Sequence, residues 1–164
     1  MIDLDIAVEH DGWDAEPGLI DVLRRAASAA IRAASDVARG DVEATLLLAG
    51  DAEIRELNRA WRGQDTPTNV LSFPAPPHPA PQPGAECGER ELGDIALAYE
   101  TVAREAAAEG KTVRDHAAHL VVHGILHLLG ADHDDDREAE EMERAETAAL
   151  ATLGIADPYR DTVA

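Results

Sequence analysis

Three histidines stand close together in the stretch His123-Gly124-Ile125-Leu126-His127-Leu128-Leu129-Gly130-Ala131-Asp132-His133, with the spacing H-x3-H-x5-H. On a helix, His123 and His127 lie one turn apart on the same face. Two such imidazoles can converge on one divalent ion, whose nitrogen ligands sit at about 2.0–2.1 Å. Gly130 is of the type that ends a helix in a left-handed turn. Beyond it the chain can double back and bring His133 to the same ion. Three protein ligands leave a fourth position for water, the pattern of a catalytic zinc site rather than a closed structural one.

A lone histidine on an apolar helix is commonly a core residue, and i,i+4 pairs arise by chance. A pair in helical register with a third histidine just past a glycine is a stronger pattern. Zinc peptidases of the H-E-x-x-H type carry a glutamate base after the first histidine. Here that place holds Gly124, so peptide hydrolysis by the usual route lacks its base.

The elements that must position these residues follow from the rest of the chain. Its 164 residues, 45% of them hydrophobic, suit one domain, 1–164, with a single core. No apolar run reaches membrane-span length, and the first residues lack the pattern of a signal peptide. Cys87 is the only cysteine, which fits a reducing cytoplasm. The formal net charge is −19 and Lys111 is the only lysine. Such an excess of carboxylates argues against broad nucleic-acid binding, so an anion site must be a local patch of arginine.

Ile2, Leu4, Ile6 and Val8 alternate with Asp3, Asp5, Ala7 and Glu9, the period of a half-buried strand. His10-Asp11-Gly12 closes it, with His10 expected as an exposed loop residue. A helix is expected over 17–39 and a strand over 42–49, where Leu46-Leu47-Leu48 suggests burial on both faces. Asp51 can cap a helix reaching about Arg62. Arg55, Arg59 and Arg62 share roughly one face of that helix. A turn at 66–69 precedes a strand at 70–73. Residues 74–90 hold six of the nine prolines and read as a flexible insertion, at about 74–91. A strand over 92–98 and a helix over 99–109 follow. Residues 112–129 form the metal helix, with His116 and His119 outside the metal shell because three histidines suffice. A last helix covers about 137–153, with Met142, Ala145, Ala149 and Leu150 inward. The expected fold is α/β (α+β): a single domain with a small mixed sheet of about four strands, packed by about five helices.

Three stretches together resemble the YbeY family of bacterial endoribonucleases, also called rRNA maturation factors. The first is the histidine motif from His123 to His133. The second is Leu57-Asn58-Arg59-Ala60-Trp61-Arg62 followed by Asp65-Thr66-Pro67-Thr68-Asn69-Val70-Leu71-Ser72-Phe73-Pro74. The third is Leu92-Gly93-Asp94-Ile95. They stand in the family's order and span about 46–153. Two departures are visible. The family usually carries an aromatic residue where Ala131 stands, and the proline-rich insertion is longer than expected.

The resemblance implies that His123, His127 and His133 bind one zinc ion per chain and that Arg62 is the catalytic arginine, with Arg59 its rival. It implies a zinc-dependent, single-strand-specific endoribonuclease of the cytoplasm, acting in 16S rRNA 3′-end maturation and ribosome quality control. The implied partners are rRNA precursors and the ribosome or its proteins, with no membrane. Asn69 and Ser72 are candidates to line the substrate cleft, although each also suits a turn or strand end. Asp132 can orient a ligand imidazole or cap the last helix. No general base is evident. The alternative function is a ribosome-assembly binding factor in which zinc is structural.

Overall fold

The computed structural model describes residues 2–34, 42–75, 90–129 and 136–155. The four strands are β1 (Ile2–Val8), β2 (Val42–Ala49), β3 (Val70–Pro74) and β4 (Arg90–Ala98). The five α-helices are α1 (Leu19–Ala33), α2 (Asp51–Arg62), α3 (Tyr99–Glu109), α4 (Val113–Leu128) and α5 (Asp136–Ala151). A short 3₁₀ helix, Asp11–Ala15, links β1 to α1. The sheet order is β1-β2-β4-β3. β1, β2 and β4 run parallel, and β3 pairs antiparallel with β4. The expected mixed sheet of four strands under five helices is therefore present.

Alternation along the strands divides the interior. Leu46 and Leu48 of β2 and Ile95 and Leu97 of β4 join the large core with α1, α4 and α5. Ala49, Ala96, Ala98 and Leu71 point the other way, where Ile54 of α2 covers them and Leu47 packs alongside. The leucine run is thus enclosed from both faces, as parallel strands under helices require.

Several expectations are corrected. The first helix starts at Leu19 rather than at Pro17, because Gly18 takes a left-handed φ of 70° before it. Pro74 and the Arg90-Glu91 pair belong to strands rather than to the insertion: Pro74 pairs with Gly93, and Arg90 and Glu91 pair with Val42 and Glu43. The remainder of the insertion, 76–89, lies outside the described residues. His10 is not simply a loop side chain. Its ring stacks on Tyr99 at 5.0 Å, and its Nδ1 accepts a hydrogen bond from the Gly12 N–H. Asp51 opens α2 but does not cap it. Its carboxylate accepts from the Thr101 N–H at 3.1 Å and the Thr101 hydroxyl at 2.7 Å. Glu100 in turn accepts from the Asp51 N–H at 3.2 Å. The two helix starts cap each other, supplying acceptors to N–H groups that no helical turn can satisfy.

Gly93 marks the irregular point of the sheet. Glu43 and Ala44 oppose Glu91 and Gly93, so Leu92 is an extra residue in β4. Gly93 has φ 135°, and a Cβ there would lie 2.2 Å from the Phe73 carbonyl oxygen. Only glycine lets β3 pair this closely.

Candidate metal centre

The site is built on α4. Thr112 caps it, its hydroxyl accepting from the Asp115 N–H at 3.0 Å. Ala117, Leu120, Val121, Gly124, Ile125 and Leu128 are buried in the core. His116, His119, His123 and His127 form a row along the helix. Successive ring centroids are 6.2, 6.5 and 4.5 Å apart.

At the C-terminal end of this row the rings of His123 and His127 meet at 73°, and their Nε2 atoms are 3.0 Å apart. Two ligands of a tetrahedral ion with bonds of about 2.0–2.1 Å lie about 3.3 Å from each other. Two imidazole lone pairs do not face each other at such a distance without a proton or a cation between them. A hydrogen on one ring satisfies this contact, and the same two nitrogens also suit a small nitrogen-preferring ion such as zinc. Among the described residues no group of three or more candidate ligands gathers on one point. His133 and Asp132 lie outside the described residues.

Two carboxylates flank the row, and neither was found from the sequence. Glu146 of α5 is fully buried, with 0% of its surface exposed. One of its oxygens contacts His123 Nδ1, and the other lies 3.2 Å from His119 Nε2. Glu105 of α3 reaches His116 Nε2 at 2.9 Å with Oε1, and the same oxygen accepts from the Asn69 side-chain amide at 2.9 Å. The sequence did carry a signal for Glu146. It sits in the inward stripe of α5 between Met142 and Ala149, where a charge is costly unless partnered.

The other candidates divide. Ser72 is two residues from Val70, which packs on the large core, so both face the α4 side of the sheet. Its partner in β4 is Ile95, the residue over which Gly124 lies. Asn69 is tied to Glu105 and, through it, to His116. The three arginines of α2 are not equivalent. Arg55 holds Asp65 through two hydrogen bonds of 2.7 and 3.0 Å. That bond raises the Arg55 pKa and holds the Asp65 carboxyl below its ordinary range. Arg59 pairs with Glu56 at 2.7 Å, and its pKa too is raised, first by that hydrogen bond. Arg62 is exposed and makes no hydrogen bond or ion pair with any described residue, the histidine row included. Beside it Trp61 is 74% exposed and meets Phe73 at 6.2 Å with the two rings tilted by 56°.

The sequence model of one protein family, Endoribonuclease YbeY, matches residues 17–154. The Endoribonuclease YbeY of Azorhizobium caulinodans is 52% identical to this chain over 161 residues, covering 96% of each.

The chain belongs to the YbeY family.

A second YbeY relative, from Allorhizobium ampelinum, is 48% identical and covers 99% of this chain and 97% of its own. The solution structure of TM1509 from Thermotoga maritima matches with a TM-score of 0.57 at 24% identity, covering 96% of this chain and 99% of that one. That likeness supports the fold. YbeY membership makes the chain an enzyme of the nuclease class of hydrolases. Among the described residues no helix is long and apolar enough to cross a membrane.

Proposed function

We propose that this YbeY protein is a zinc-dependent, single-strand-specific endoribonuclease of the cytoplasm, acting in 16S rRNA 3′-end maturation and ribosome quality control. The observation that carries the catalytic part is the 3.0 Å approach of His123 Nε2 and His127 Nε2. His133 supplies the third ligand, and one zinc ion is held per chain. When bound there, zinc would lower the pKa of a bound water toward about 7 and polarise a phosphoryl oxygen.

The chain's own residues bind and orient the RNA. Among the described residues Arg62 has no hydrogen-bond or ion-pair partner, so its forked donors are available to a scissile phosphate. Arg59 is already engaged by Glu56 and serves as a secondary contact. Trp61, exposed beside Arg62, offers a face on which an unpaired base can stack, which suits a single-stranded substrate. Ser72 lines the cleft from the sheet. Asn69 does so while bonded to Glu105. Asp132 orients His133. The rRNA precursor and the ribosomal partners rest on the motif resemblance.

A second reading keeps zinc as a structural ion in a ribosome-assembly factor. The formal net charge of −19 favours it, because a protein partner suits this surface better than extensive RNA contact. Cleavage of a single-stranded oligomer and of its duplex, with zinc content measured on the same preparations, separates the two. The enzyme reading expects one zinc per chain and cleavage of the single strand only. Zinc at that stoichiometry with no cleavage of either RNA supports the structural reading.

A further inference from the structure

The carboxylate of Glu146 is buried at 0% exposure and meets two imidazoles at once. A fully buried carboxylate is tolerated only where its oxygens are hydrogen-bonded. Its partners His119 and His123 are on α4, across the helix–helix contact, and His123 is a proposed metal ligand.

The chemistry at the two oxygens is directional. A carboxylate accepts hydrogen bonds and does not donate them. His123 Nδ1 must then carry the hydrogen in that contact, which leaves the lone pair of a neutral ring on Nε2. That is the atom lying 3.0 Å from His127 Nε2. By the same rule His119 donates from Nε2 to the second oxygen. The His119 ring thus holds the carboxylate from the far side, one turn before His123.

We infer that Glu146 is the positioning residue of the metal centre: it fixes the tautomer and ring plane of His123 so that Nε2 is the ligating atom, with His119 bracing the carboxylate. This rests on the reading that His123 and His127 hold zinc. A carboxylate behind a ligand imidazole also raises the basicity of the ligating nitrogen, and its loss commonly weakens metal binding about 10–100-fold. The brace explains why a helix otherwise apolar on its inner face carries a glutamate between Met142 and Ala149. It also gives His119 a task outside the metal shell.

The test is zinc affinity, measured by competition with a chromogenic chelator, for the wild type and for Glu146→Gln. The amide keeps the shape of the carboxylate and one acceptor oxygen, and it removes the charge. The expected result is a folded variant, with the metal-free melting temperature close to that of the wild type and zinc affinity about 10–100-fold weaker. Wild-type affinity in the folded variant overturns the inference. If the variant does not fold, nitrogen-15 NMR of metal-free wild type decides: hydrogen on His123 Nδ1 supports the inference, and hydrogen on Nε2 with Nδ1 bare overturns it. A wild type that binds no zinc overturns the metal reading and the ligand-positioning role with it, whereas zinc binding equal in both proteins overturns only the role of Glu146.

Discussion

Gly124 lets α4 settle directly onto Ile95 of β4: a Cβ at residue 124 would lie 2.9 Å from Ile95 Cδ1 and 3.2 Å from both Cγ1 and Cγ2. The residue that follows the first histidine therefore faces the sheet. A glutamate there would be driven into the core rather than toward the metal centre, so the missing peptidase base is a consequence of packing. Replacing glycine by alanine inside a helix normally gains about 1 kcal/mol. Overpacking costs about 1–3 kcal/mol, so the clash wins. Gly124→Ala is expected to lower the denaturation midpoint, and Ile95→Val, which removes Cδ1, to cost less in its presence than alone. Strict additivity of the two changes in urea melts would show that the contact is not the cause.

Arg62 and Arg59 differ in what already holds them. The Arg59–Glu56 pair is exposed and screened by solvent, and it competes with any phosphate for the guanidinium. Arg62→Ala is expected to reduce cleavage about 10²–10³-fold, the usual loss on removing one donor to developing charge. Arg59→Ala should cost about tenfold or less, and neither change should alter zinc content or melting temperature. Equal losses in single-turnover cleavage would make the two arginines partners rather than rivals.

Much of this was legible in the sequence, and the reasons are local. The alternation of Ile2 to Val8, the run of β2 and the glycine stop after α3 depend on neighbours in the chain, so the elements fall where period and turn chemistry put them. The histidine row of α4 follows from helical spacing alone. The stripe of α5 marks Glu146 as inward, but the roles of Glu146 and Glu105 depend on which helix lies beside α4, and no period within α5 or α3 reports that. The same holds for Asp51. Read alone, it caps its own helix, but in the fold a second helix start lies within reach and takes its carboxylate.

That crossed arrangement is itself testable. Asp51→Ala leaves the Thr101 N–H and hydroxyl without their acceptor, and a lost cap costs about 0.5–2 kcal/mol. The melting temperature should fall. Glu100→Gln, which retains an acceptor for the Asp51 N–H, should be milder. An unchanged melt for Asp51→Ala would mean that water replaces the carboxylate without cost.

The Arg55–Asp65 pair gives a pH dependence of known sign. Hydrogen bonding to Arg55 lowers the Asp65 pKa from its ordinary 3.8. A group depressed by folding contributes stability above its unfolded pKa and loses it as pH falls through the folded one. Asp65→Asn should therefore be less stable than the wild type near neutrality, and the difference should close in acid, below the ordinary aspartate range. Thermal melts over that range check it. A difference that persists unchanged in acid would assign the effect to something other than the ion pair.

The central claim is that the centre on α4 works through a metal. Its most direct test is to strip the protein with a chelator, confirm the metal-free state by elemental analysis, and follow cleavage of a single-stranded RNA as zinc is returned. The account predicts no cleavage without metal and full recovery at one zinc per chain, with His127→Ala failing to recover. Undiminished cleavage by the verified metal-free protein would contradict it.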